Sequence, residues 1–207
     1  MDITSISFIF AIAVLVMSVV VHEVSHGWMA YILGDPTAKM AGRLTLNPIP
    51  HIDPIGSIIV PLVLSLLPGG IIFGWAKPVP YNPYNLRVKN GPAYVALAGP
   101  ASNFTLAIIF SLLIRSGLGV SLLGAQALPI LSTIVLVNIM LGLFNLIPIP
   151  PLDGSTILFS FFPYHSKFVE TFQRYQLVII LVIIFGAGFI IDKLLMVIFH
   201  FLTGLAL

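Results

Sequence analysis

From Ile6 the chain runs apolar without a charge until Glu23, and that run ends in His22-Glu23-Val24-Ser25-His26. A stretch of this length and character fits a bilayer-spanning helix, where ionisable side chains are costly enough to be functional by default. On a helix, His22 and His26 fall at i and i+4 on one face, about 6 Å apart, spaced to grip one metal ion. Glu23 stands beside them, placed to take a proton from a metal-bound water. The chain holds only two Glu and five His. With that composition a chance match to H-E-x-x-H is on the order of one in a thousand.

Hydrophobic residues make up 58% of the 207 and charged residues 8%, far from the soluble norm. The chain reads as an integral protein of the lipid bilayer, one polytopic domain over 1–207 with its core at 5–163 and a C-terminal span and tail at 168–207. A net charge of +2, thinly scattered, gives no basis for a nucleic-acid partner. The absence of cysteine excludes disulfides and thiolate ligands, so any zinc must use His, Asp or Glu. A cleaved signal peptide would need a basic N-terminal region. Asp2 is the only early charge, and the apolar run passes directly into the histidine helix.

A first helix over 5–33 should stop at Gly34-Asp35-Pro36, a C-cap glycine followed by a breaker. Its length, about 43 Å, exceeds the ~30 Å hydrocarbon core, with His26 about 10 Å from the exit end. Residues 37–46 are expected as a short strand. The apolar stretch 55–67, interrupted by Pro61 and ended by Pro68-Gly69-Gly70, is short for a span and reads as re-entrant or interfacial. Residues 71–81 read as extended chain with edge-strand character. Spans are expected near 93–114 and 127–147. Pro148, Pro150 and Pro151 then forbid helix until about Gly154, which opens a short helix to Phe162. A last span covers 177–191, with 194–205 as its continuation or as an amphipathic surface segment. The expected class is an all-α polytopic membrane protein of about four transmembrane helices, with short or re-entrant helical segments and a small β element near the active site.

If 55–67 is re-entrant, one face collects Lys39, Arg43, Lys77, Arg87, Lys89, Lys167 and Arg174, leaving Arg115 and Lys193 opposite. That asymmetry places the first face in the cytoplasm. If 55–67 spans, the division becomes five against four and predicts almost nothing.

A catalytic zinc site normally has three protein ligands and an open position. The best third ligand is Asp153, at the foot of a span after a proline-stiffened turn. The competing reading makes Asp153 an N-cap for the helix beginning at Gly154.

Three motifs in order, His22-Glu23-Val24-Ser25-His26, Gly99-Pro100-Ala101-Ser102-Asn103, and the stretch from Asn145 to Leu152-Asp153-Gly154, resemble those of the site-2 protease family of intramembrane zinc metalloproteases. The resemblance covers about 130 residues. It implies that His22, His26 and Asp153 bind one Zn2+ per chain and that Glu23 is the general base. Asn145 resembles the family's asparagine near the active site, which helps hold substrate or oxyanion. From the residues alone, its amide could equally satisfy carbonyls freed by Pro148. Many family members carry a PDZ or nucleotide-sensing domain, and this chain shows neither; it also inserts 55–75 between the first two motif helices.

The Gly99–Ser102 run reads as close helix packing rather than chemistry, with Asn103 bonding across the interface. His51 and Asp53 are either partners orienting a zinc histidine or parts of a rigid interfacial turn. His165 and His200 look like ordinary interfacial residues. Trp28, Trp75, Tyr81, Tyr84 and Tyr94 read as belt anchors.

The expected activity is hydrolysis of a peptide bond in or beside a transmembrane helix of a protein substrate, in the plasma membrane, with the site facing the cytoplasm. A metal transporter would place ligands at mid-membrane on broken helices in repeated halves, which this chain lacks. A catalytically inactive helix-binding scaffold would not need Glu23. Two His and one carboxylate can also hold iron.

Overall fold

The computed structural model describes residues 3–65, 74–124, 126–162, 166–176, 179 and 188–205. Among them every regular element is helical: α1 (Ile3–Ile32), α2 (Thr37–Met40), α3 (Val60–Ser65), α4 (Gly91–Arg115), α5 (Leu118–Leu123), α6 (Ala127–Asn145), α7 (Asp153–Phe159), α8 (Lys167–Arg174) and α9 (Gly188–Thr203). Three segments are long and apolar enough to cross a membrane, Ile9–Ile32 within α1, all of α4 and all of α6, at 24, 25 and 19 residues. At 1.5 Å per residue they measure about 36, 38 and 28 Å, against a hydrocarbon core of ~30 Å. Their outward faces carry exposed Ile9, Ile12, Leu15, Ile108, Ile109, Leu112 and Met140, surface that lipid covers. Of the expected fourth span at 177–191, residues 177–178 and 180–187 lie outside the described residues, and 188–191 are helical. From 188 the chain is helical through most of the 194–205 tail, and Phe199 of α9 is buried against α4 and α6.

α4 is the central helix, packed against α1, α6 and α7. One half of its length joins Ala107 and Ile114 to Ala127, Leu131, Val135 and Ile139 of α6 and Phe199 of α9 in an apolar core. Small residues permit the approach. A Cβ on Gly142 would strike the Phe104 ring, and in lipid such contact, not a hydrophobic force, holds helices together.

The expected strand at 37–46 is instead a helical turn followed by irregular chain. Met40 and Ala41 N–H groups bond back to the Pro36 and Thr37 carbonyls, and Ala38 is fully buried. Gly42, at φ +65°, turns the chain out of helix. No strand occurs among the described residues, so the β element is not seen there. Residues 74–81 have no regular secondary structure, and amides at alternate positions are bonded singly rather than in a ladder. Trp75 N–H donates to the Gly56 carbonyl and Lys77 N–H to that of His51, while Val79 N–H donates to Glu23 Oε2 at 2.8 Å. The alternation puts residues 76, 78 and 80 on the opposite edge, where Pro78 and Pro80 have no N–H to offer.

The exit of α1 is a Schellman turn. Gly34, at φ +109°, donates to the Tyr31 carbonyl, and Asp35 N–H reaches back to that of Ala30. The Asp35 side chain is fully buried. It accepts from Thr37 N–H and Oγ1, from Asn82 N–H at 2.6 Å and from Asn85 Nδ2 at 2.8 Å. This carboxylate ties the end of α1 to the chain leading into α4. Burial raises its pKa, but the bonds from Thr37, Asn85 and Asn82 outweigh burial and hold it below its ordinary value. Because the folded-state value is depressed, the stabilisation is present above the unfolded carboxyl pKa and lost as pH falls through the folded one. Asp35→Ala is expected to cost about 1–3 kcal/mol near neutral pH by leaving buried donors unmet. Unfolding midpoints in detergent should converge for wild type and variant as the solution is acidified below the carboxylate range.

Candidate metal centre

α1 presents His22, Glu23 and His26 to the flank of α4, and α7 brings Asp153 to the same place. The delivery of Asp153 follows from the local sequence. α6 ends at Asn145, prolines 148, 150 and 151 prevent its continuation, and an extended Leu152 (ψ 154°) leads into α7. A Cβ at Gly154 would strike the carbonyls of Leu146 and Ile147, so glycine lets the start of α7 press on the end of α6. Asp153 is the first helical residue, Leu152 is the N-cap, and no side-chain cap bond is made. The capping alternative is therefore not what the structure shows.

His22 Nε2 lies 3.1 Å and His26 Nε2 3.3 Å from Asp153 Oδ2, with 3.0 Å between the two nitrogens. His26 Nδ1 sits 2.7 Å from the Val95 carbonyl, which can only accept, so that ring carries a hydrogen on Nδ1. His22 Nδ1 lies 2.6 Å from Asn103 Oδ1 and donates likewise. When both rings are neutral, the two Nε2 atoms turn lone pairs toward a carboxylate oxygen that is buried without a hydrogen-bond partner. Three electron-rich atoms converging in this way repel one another unless a cation lies among them. Two ligands of a tetrahedral zinc with bonds of 2.0–2.1 Å stand about 3.3 Å apart, close to the spacings here, so the donor set fits.

Gly99 shows why no larger residue stands in its place. A Cβ there would collide with His26 Nε2 and Cε1 and with His22 Cε1. The Gly99–Ser102 run thus does more than let α1 and α4 approach, since it keeps open the space beside the imidazoles.

Other residues singled out in the sequence fall in different places. Glu23 follows His22 on α1, and one carboxylate oxygen accepts from Val79 N–H. Asn145, half-buried at the end of α6, donates from Nδ2 to the Leu141 carbonyl of its own helix at 3.0 Å. His51 is buried, with Nε2 3.0 Å from the Thr45 carbonyl and Nδ1 3.5 Å from Arg43. Asp53 accepts from the amides of Ile55 and Gly56. Both build a rigid turn, not a support for the zinc histidines. Trp28, Trp75, Tyr84 and Tyr94 are exposed in the manner of belt residues. His200 bonds the Leu205 carbonyl at the end of α9, and His165 is outside the described residues. Sequence reading missed Asn138, whose carbonyl oxygen accepts from Asn103 at 3.0 Å. Burial and the nearby Asp153 charge push the Tyr81 phenol above its ordinary pKa.

Residues 119–187, which include the Asn145-to-Gly154 stretch, match the model of Peptidase family M50. The chain is 39% identical over 160 residues to YwhC of Bacillus subtilis, covering 74% of this chain and 69% of that protein. It is 34% identical over 151 residues to Rip2 of Mycolicibacterium smegmatis (71% and 55% coverage) and 31% over 155 residues to Rip2 of Mycobacterium tuberculosis (73% and 56%). All three are provisionally named zinc metalloproteases, and the chain spans little more than half the length of the Rip2 proteins. No solved structure is a significant match. The chain belongs to Peptidase family M50, the site-2 protease family. It is a membrane metalloprotease by kinship, and its relatives imply zinc as the metal.

Gly99→Ala is expected to displace both imidazoles and weaken zinc binding at least about tenfold, the range seen when supports of a metal ligand are lost. Zinc retained after dialysis against a buffered free-zinc series measures this, with Ala101→Ser, on the exposed face of α4, as the unaffected control.

Proposed function

We propose that the chain is a zinc-dependent intramembrane endopeptidase that cleaves a peptide bond in or next to a transmembrane helix of another membrane protein. The observation that carries the reading is the convergence of His22 Nε2, His26 Nε2 and Asp153 Oδ2 within 3.0–3.3 Å, with a glutamate beside them and no proton assigned to any of the three atoms. In this reading His22, His26 and Asp153 hold one zinc. Bound there, zinc supplies an acidified water and polarises the scissile carbonyl. Glu23 accepts the proton of the attacking water and passes it to the leaving amine. The Val79 amide holds one Glu23 oxygen, which leaves the other for proton transfer. Asn145 is assigned a lesser part, as an amide donor for substrate at the mouth of the site.

A helical substrate hides its carbonyls in its own hydrogen bonds, so the segment to be cut must unwind before attack. Residues 74–81 are the natural place to receive it, because they lie outside any helix, bond through alternate amides and are tethered to Glu23 through Val79. Their outward edge offers carbonyls at 76, 78 and 80 but an N–H only at Ala76, so an incoming strand must act chiefly as donor. Asp153 is 19% exposed, which gives water a route. The basic residues on the re-entrant reading of 55–67 put that route on the cytoplasmic side of the plasma membrane.

The test is bound metal and cleavage of a transmembrane-helix substrate by protein purified in detergent. Wild type should retain zinc and cleave. His22→Ala and Asp153→Ala should lose zinc, and Glu23→Gln should keep zinc while activity falls by more than about a hundredfold. Zinc that survives Asp153→Ala, or cleavage that survives Glu23→Gln, contradicts the assignment. Retained zinc without cleavage in wild type would favour a metal transporter instead.

A further inference from the structure

Behind His22, on the side away from Asp153, lies a chain of buried polar groups that peptide hydrolysis does not call for. Ser18, Asn103 and Asn138 are at most 4% exposed and come from α1, α4 and α6. Polar groups at this depth are expensive unless fully bonded. One explanation is that they serve only as glue between helices. Their donor–acceptor order carries more information than that.

The order can be followed from an anchor that has no choice. Asn138 Nδ2 lies 2.9 Å from the backbone carbonyl of Ile134, which can only accept, so the amide of Asn138 must present its NH2 group there. The same NH2 reaches Ser18 Oγ at 3.0 Å. The carbonyl oxygen of Asn138 is thereby turned toward Asn103 and demands a donor, which Asn103 Nδ2 provides at 3.0 Å. Asn103 in turn must face His22 with its oxygen, 2.6 Å from Nδ1. An oxygen there requires a hydrogen on Nδ1, and a neutral ring protonated at Nδ1 has its lone pair on Nε2. Each amide orientation, ambiguous when taken alone, is settled by the one before it. His26 needs no such chain, because the Val95 carbonyl sets its tautomer directly.

We propose that Asn138 is a positioning residue for the metal centre, selecting the Nδ1–H tautomer of His22 by fixing which end of the Asn103 amide faces that ring. The ring state is a property of the metal-free protein; its consequence for zinc rests on the function proposed above. With Asn138→Leu, the Asn103 NH2 group loses its acceptor at 3.0 Å and keeps only the long contact to the Ser18 backbone carbonyl at 3.5 Å, a hold weak enough for the amide to turn over. In the flipped state NH2 faces His22, Nδ1 must accept, and the hydrogen moves to Nε2, where it blocks metal. Asn103→Asp supplies the internal rescue, since a carboxylate accepts from either side and makes the tautomer independent of residue 138.

The experiment is nitrogen-15 NMR of histidine-labelled, metal-free protein in detergent, paired with zinc titration. Wild type should show His22 and His26 both protonated at Nδ1. Asn138→Leu should move His22 alone toward Nε2–H and weaken zinc binding about 10–100-fold. The double variant Asn103→Asp/Asn138→Leu should return the hydrogen to Nδ1 and recover most of the affinity. A His22 ring that keeps its tautomer in Asn138→Leu overturns the proposal. So does a shift of both rings together, which marks general loosening, or a double variant that stays scrambled. If the ring states behave as described while wild type binds no zinc, the relay stands and the metal reading falls.

Discussion

Everything in this structure is organised around three acceptor atoms brought within 3.0–3.3 Å of one another in a medium that cannot solvate them. In water the repulsion among two imidazole lone pairs and a carboxylate would be screened. Buried between helices it is not, and a metal ion or a shared proton must relieve it. That requirement explains the apparent waste of placing His, Glu and Asp where apolar residues would cost nothing. It also explains why the surroundings are so narrowly specified. Val95 and Asn103 occupy the far nitrogens, Gly99 leaves the space, and Gly154 with the prolines before it sets the angle at which Asp153 arrives.

The helices that carry these atoms are held by a division of labour along α4. Toward one end the contact is apolar, Ala107 and Ile114 against Leu131, Val135, Ile139 and Phe199. Toward the other it is a polar seam of Ser18, Asn103 and Asn138 beneath the histidines. Lipid provides no hydrophobic drive between helices, so close packing over small residues and satisfied hydrogen bonds must do that work. The seam therefore lies where geometry matters most, directly behind His22. Beyond the end of α1, buried Asp35 and the Arg43–His51 turn fasten the loops, and the Val79 amide ties residues 74–81 to Glu23.

Much of this was legible in the chain. The histidine pair declares itself because a helix repeats at i+4, and an apolar run with no charge before Glu23 admits few settings. Asp153 could be named but not decided, because a ligand and an N-cap have the same local sequence. Only the position of α7 against α1 separates them. The strand expected over 37–46 did not form because Ala38, Lys39 and Met40 favour helix, and Asp35 with Pro36 starts a helical turn instead. Gly99 passed for packing because the space a glycine leaves has no sequence signature. Asn138 was invisible for a similar reason: a lone amide in an apolar helix gains meaning only from what the neighbouring helices set opposite it.

The most direct test of this account is X-ray absorption at the zinc edge of the purified protein. The account predicts one zinc bound by light atoms only, in a four-coordinate shell at about 2.0–2.1 Å, with scattering from two imidazole rings that falls to one in His22→Ala. A shell with no imidazole or only one in wild type, or a spectrum unchanged by His22→Ala, would show that the metal sits elsewhere and that the convergence of His22, His26 and Asp153 is not its site.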